Sequence, residues 1–160
     1  MNMNIWTSEE WKNLYKGTYR TGLRLKSDKD VDSEVKRACK EFCKWLRTKY
    51  VFPIRVPVYL KSSCRIHTMD NDVAYGTFFE PENKFVEPYI RIATGDYMLL
   101  YNKYGKDSAL ATILHTIAHE LTHYYQWINS SKLTDLGEER QANKTATIIL
   151  DMYSETREHP

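Results

Sequence analysis

The 160-residue sequence has no apolar run that approaches the roughly 18 residues of a membrane-spanning helix. Its first residues lack the basic start and the apolar core that are typical of a signal peptide. Only three cysteines are present, and a chain of this size can bury enough surface to fold without disulfides. These absences predict a cytoplasmic protein with reduced thiols and no membrane partner.

Glycine and proline are also scarce, at 6 and 5 residues, which argues against large disordered segments. The net charge of +2 gives no electrostatic reason to expect nucleic-acid binding. No repeat, low-complexity tract or linker divides the sequence. We therefore predict one domain over residues 1–160, with residues 1–50 as its helical N-terminal part.

Local patterns predict helices at both ends of the chain and strands between them. A capping pattern from Thr7 predicts a short helix to about Lys16, and a basic connector or short strand follows it. The next predicted helix has candidate N-caps from Asp28 to Asp32 and ends at about Tyr50, and further helices are predicted over 96–103, 107–129 and 138–156. The predicted strands cover 54–61, 74–79 and 88–94, the first near a sheet edge because Pro57 cannot donate a ladder hydrogen bond. This order predicts an α+β fold with an antiparallel-leaning sheet of about three strands.

The predicted helix over 107–129 has an unusual polar side. At 100° per residue, its apolar positions collect on one side: Leu110, Ile113, Ile117, Leu121, Tyr125 and Ile128. The opposite side carries Thr112, His115, Thr116, His119 and His123. A merely solvated face would be expected to carry more Lys and Glu, so this histidine and threonine face suggests a functional site.

His119 and His123 stand one turn apart, so both imidazoles can reach one metal ion. Glu120 points about 100° around the helix, where it can take a proton from an activated water and pass it to a leaving amine. This His-Glu-x-x-His segment predicts a zinc site with Glu120 as general base. The alternative is a helix whose histidines are ordinary surface polar groups.

A catalytic zinc ion needs a third protein ligand. The metzincin continuation would place glycine at 126 and histidine at 129, whereas the sequence has Gln126 and Asn129. The next predicted helix supplies the favoured candidate, Glu139, with Glu138 and Asp135 as alternatives. Acidic residues in a first helical turn also stabilise the helix dipole without any metal.

This combination is similar to the gluzincin pattern, and residues 54–153 resemble the single-domain ImmA/IrrE-like metallopeptidases. Ala142-Asn143 after Glu139 is similar to that family's Glu-x-x-Ala-Asn. The resemblance implies a zincin-like fold with zinc ligands at His119, His123 and Glu139. It also implies that substrate lies extended along an edge strand in the region 73–94.

SprT-like domains are also similar in their strand-to-helix layout and in His123-Tyr124-x-Gln126. That family would use a third histidine, and only His159 follows the motif. The first 50 residues match no family pattern, and no helix-turn-helix is evident.

Several other residues are candidates for supporting roles. His115 could contact substrate or line the rim of the cleft, and His67 or Arg65 could stabilise an oxyanion. Tyr124, Tyr125 and Tyr153 are further oxyanion candidates. A structural zinc at Cys39, Cys43, Cys64 and His67 is a weaker interpretation than ordinary packing of the first two cysteines on an apolar helix face.

The sequence therefore predicts a zinc endopeptidase that cleaves a protein or peptide substrate. A different class is a zinc-stabilised binding or regulatory module with little proteolysis. A non-peptide metal hydrolase is a third interpretation, because the motif specifies hydrolysis more firmly than it specifies peptide.

Overall fold

The computed structural model describes residues 4–14 and 19–160. After a 3₁₀ turn at Ile5–Thr7, the helices are α1 (Trp11–Leu14), α2 (Ser33–Lys49), α3 (Tyr97–Tyr104), α4 (Lys106–Ile128) and α5 (Asp135–Ser154). The strands are β1 (Leu23–Ser27), β2 (Val56–Lys61), β3 (Ile66–His67), β4 (Val73–Ala74), β5 (Gly76–Phe79) and β6 (Tyr89–Ala93). The α+β class is confirmed.

The main sheet has four strands in the order β1-β2-β6-β5, and β3 and β4 form a separate two-stranded sheet. The prediction of about three antiparallel-leaning strands is wrong, because β1–β2 and β2–β6 are parallel and only β5–β6 is antiparallel. The extra strand, β1, lies in the segment predicted as a connector or short strand. Since α2 carries the chain back across the sheet between β1 and β2, those two strands run in the same direction.

Pro57 lies in an interior strand, so the edge prediction for β2 is also wrong. Val56 donates to the Gly22 carbonyl on the β1 side, and residues along a strand alternate in the side to which they hydrogen-bond. The nitrogen of Pro57 is therefore directed towards β6. The pairing with β6 begins only at Val58, so the missing N–H costs no ladder hydrogen bond.

The helices follow the predicted order with shifted boundaries. The Asp32 side chain caps α2 by accepting from the Glu34 amide, which selects the last of the candidate N-caps predicted from Asp28 to Asp32. The last helix begins at Asp135, three residues before its predicted start, and Thr134 accepts from the Gly137 amide there. The first short helix begins at Trp11, and its predicted end at Lys16 lies outside the described residues.

The strand predicted over 74–79 divides into β4 and β5, and β5 packs against α4 at Gly76. A Cβ atom at Gly76 would lie 2.7 Å from Cγ2 of Thr116 and 3.1 Å from Cγ of Glu120. Only glycine allows this close approach, which sets the strand directly beside the histidine face of α4.

Candidate metal centre

Helix α4 has the two-sided character that its sequence predicts. Its apolar side is buried against the sheet and the other helices, with Leu110, Ile117 and Leu121 at most 1% exposed. His119 and His123 lie on the opposite side with partly exposed rings. Glu120 lies between the two sides and is only 7% exposed. The burial of the apolar stripe therefore orients the histidine face towards an open cleft.

His119, His123 and Glu139 converge in that cleft. The Nε2 atoms of the two histidines are 3.2 Å apart. The Glu139 carboxylate oxygens lie 3.2 Å from Nε2 of His119 and 2.9 Å from Nε2 of His123. One ligand atom from each residue lies within 4.8 Å of the others, so the three residues could hold a metal ion.

The donor set fits a zinc ion in its chemistry. Two imidazole nitrogens and one carboxylate oxygen from the protein are the set found in catalytic zinc sites with an open fourth position. Glu139 has a side chain that is 56% exposed, so one side of the group faces solvent and is accessible. Asp135 and Glu138 also lie in α5 but are not members of this group.

Gln126 was not predicted to take part in the site, yet it forms a hydrogen bond with His123, one of the three candidate ligands. Its Oε1 lies 2.8 Å from Nδ1 of His123, and its Nε2 donates to the Glu138 carbonyl at 3.0 Å and to Oε1 of Gln141 at 2.9 Å. Because a backbone carbonyl can only accept, the Gln126 amide nitrogen must face α5 and its oxygen must face His123. The Nδ1 atom of His123 then carries the proton, which leaves Nε2 as a free ligand atom.

Two further contacts on α5 support the histidine face. Asn143 forms a side-chain hydrogen bond with His119, which raises the pKa of that histidine. His115 lies 3.2 Å from the Thr147 hydroxyl through Nε2 and lines the cleft, but it does not join the ligand group. This places His115 at the cleft rim, which was one of the predicted alternatives.

Burial favours the neutral forms of His119 and Glu120. Desolvation lowers the pKa of His119, and the nearby charge of His123 lowers it further. Desolvation raises the pKa of Glu120 to about 7, against the opposing effect of His123. A neutral imidazole is the form that binds a metal, and a carboxyl group that titrates near pH 7 is suited to proton transfer.

The cleft has a volume of about 610 Å³ and runs between β5 and the first turns of α5. Strand β5 is an edge strand that pairs with β6. The Ala93 amide donates to the Tyr75 carbonyl, so alternation directs the backbone groups of Gly76 and Phe78 away from β6. Among residues 4–14 and 19–160, no strand pairs with this outer edge of β5, which borders the candidate metal centre.

The predicted oxyanion candidates do not line the cleft. Arg65 pairs with Asp96 at 2.6 Å, and His67 lies in β3 outside the cleft lining. The Tyr124 and Tyr125 hydroxyls donate to the carbonyls of Ile54 and Val51, and Tyr153 packs on the Phe42 ring. All three tyrosines therefore have structural roles in the core.

The cysteine-based zinc interpretation finds no support. Cys39 and Cys43 are fully buried in the core on α2, whereas Cys64 is exposed. Among the described residues, no metal-ligand group includes a cysteine. Packing on the apolar face of α2 accounts for the first two cysteines.

No family model, curated protein or solved structure matches this chain. The resemblance to ImmA/IrrE-like and SprT-like metallopeptidases therefore stays a prediction that rests on the motif residues. Across residues 4–14 and 19–160, no helix has both the length and the apolar character needed to cross a membrane.

Proposed function

We propose that this chain is a zinc-dependent endopeptidase of the gluzincin type with a zincin-like fold. The observation that carries the proposal is the convergence of His119, His123 and Glu139 beside a buried Glu120. A purely structural metal site needs no buried carboxyl group next to its ligands. The burial of Glu120 beside the candidate ligands supports a role for its carboxyl group in proton transfer during hydrolysis.

The three ligand residues would hold the ion through the Nε2 atoms of His119 and His123 and a carboxylate oxygen of Glu139. Zinc in such a site supplies Lewis acidity, which polarises a carbonyl and makes water a competent nucleophile near neutral pH. Glu120 would accept the proton of the attacking water on its carboxylate and donate it to the leaving amine. Its raised pKa suits both transfers.

A peptide is the substrate that best suits the cleft. The outward-facing backbone groups of Gly76 and Phe78 can pair with an extended peptide by strand addition. Such pairing would lay the substrate backbone beside the ligand face of α4. A small non-peptide substrate would make no use of this free edge.

The proposal is tested by zinc analysis and by cleavage of a fluorogenic peptide library. The unmodified chain is expected to bind one zinc ion and to cleave peptides, whereas Glu120→Gln is expected to keep the zinc and lose at least about 100-fold in kcat. Glu82→Gln, which changes an exposed loop carboxylate in the same way, serves as the control. Stoichiometric zinc without any cleavage would instead favour a zinc-stabilised binding module.

A further inference from the structure

A second cavity adjoins the candidate metal centre and shares part of its wall. Tyr75 and Thr116 line both this cavity and the metal cleft. The cavity has a volume of about 340 Å³ and lies between α3, α4 and the end of β6. Thr116 precedes His119 by three residues on the same helix, so the cavity opens about one helical turn from a metal ligand.

The walls of this cavity are mainly apolar. Its apolar lining consists of Tyr75, Ala93, Tyr97, Leu99, Leu100 and Ile113. Ile113 and Tyr97 are each 5% exposed, and Leu99 is 66% exposed. The one charged pair in the lining, Arg65 with Asp96, is satisfied internally at 2.6 Å. The space therefore offers an apolar environment with no unpaired charge for a ligand.

Tyr75 and Thr116, the two residues that separate the cavity from the metal cleft, are each held by a further contact. The Arg65 guanidinium lies 4.1 Å from the centre of the Tyr75 ring and also donates a hydrogen bond to Asp96. On the α4 side, Thr116 donates to the Thr112 carbonyl. These contacts hold the side chains of Tyr75 and Thr116, so the cavity keeps its position next to the candidate ligand residues.

We propose that this cavity binds a large apolar side chain, phenylalanine or leucine, of the peptide substrate. The inference rests on the proposed peptidase function. A volume of about 340 Å³ exceeds the roughly 150 Å³ of a cavity that binds benzene, so a phenyl or isobutyl group fits. Because Thr116 in the cavity wall lies about 4.5 Å along α4 from His119, and successive residues of an extended chain are about 3.4 Å apart, the side chain belongs to a residue at or next to the cleaved bond.

The first experiment is independent of catalysis. Toluene, which has the shape of the phenylalanine side chain, is titrated into the metal-free chain while methyl resonances of Leu100 and Ile113 are followed by NMR. Saturable shifts of both resonances are expected. Absence of saturable shifts at these two residues would overturn the proposed apolar site, whatever the chain does to peptides.

The second experiment compares cleavage of blocked peptides that differ at one position. Peptides with Phe or Leu are expected to be cleaved with a kcat/KM at least about tenfold higher than the peptide with Ala. Leu99→Asp places a charge on the cavity lining and is expected to remove that preference. Met98→Asp is the matched control, since Met98 is an exposed neighbour on α3 that does not line the cavity.

The outcomes separate the two proposals. Toluene binding with no cleavage of any peptide would contradict the peptidase function but leave the apolar site standing. Cleavage without a preference for Phe or Leu would overturn the inferred specificity, and so would equal effects of Leu99→Asp and Met98→Asp.

Discussion

Replacing Glu120 with glutamine should change the stability of the metal-free protein in a pH-dependent way, with the variant gaining on the unmodified protein as pH rises. Burial raises the pKa of Glu120 in the folded state to about 7 from an ordinary value of 4.5. Between these values the unfolded chain releases the proton while the folded chain retains it. The unmodified protein therefore has its full stability from this group below pH 4.5 and loses it as pH rises to about 7. Glutamine does not ionise, so the variant does not lose this stability as pH rises.

The magnitude follows from the same two pKa values. At about 1.36 kcal/mol for each pH unit, the interval from 4.5 to about 7 corresponds to about 3.4 kcal/mol once both states are ionised. Glu120 is only 7% exposed, so solvent screens this cost little. Part of this destabilisation is already present at pH 5. The difference in free energy of unfolding between the variant and the unmodified protein should therefore change by about 2.5 kcal/mol from pH 5 to pH 8.

Urea unfolding in the presence of EDTA measures this difference at a series of pH values. Only the change with pH is interpreted, because the loss of the carboxyl group has a constant contribution as well. Glu155→Gln, which makes the same change at an exposed carboxylate, is the matched control. A difference for Glu120→Gln that stays constant within about 0.5 kcal/mol from pH 5 to pH 8 would refute the reasoning.

Two further predictions concern residues around the ligands. Gln126→Met should weaken zinc binding by about 10–100-fold in a competition titration with a chelator, because His123 loses the hydrogen bond that orients it; unchanged affinity would contradict this role. Gly76→Ala should lower the free energy of unfolding by about 1–3 kcal/mol in urea, since the added Cβ would lie 2.7 Å from the Thr116 side chain. A variant as stable as the unmodified chain would show that β5 can move away from α4.

The helix that carries the two candidate histidine ligands was predictable because its signal is local. His119 and His123 share a face through helical periodicity alone, and the apolar residues opposite them fix which way that face points. Glu138 and Glu139 are adjacent, however, and differ by about 100° around α5. Only the packing of α5 on α4 decides between them, so the sequence favoured Glu139 without excluding its neighbour.

The sheet and the orienting contacts depend on residues far apart in sequence. Strand β1 lies at a sheet edge, and its sequence alternates leucines with Arg24 and Lys26. Its sequence therefore resembles that of a basic connector. Its parallel partner lies beyond a whole helix, a distance that no local pattern spans. The role of Gln126 was missed for a related reason, because its partners on α5 become visible only when the two helices are packed together.

The central claim is a zinc site formed by His119, His123 and Glu139. Zinc titration by calorimetry, on the unmodified chain and on Glu139→Ala and Glu138→Ala, tests it most directly. One zinc ion for each chain is expected, with affinity lost in Glu139→Ala and kept in Glu138→Ala. No stoichiometric zinc in the unmodified chain, or a loss confined to Glu138→Ala, would contradict the account.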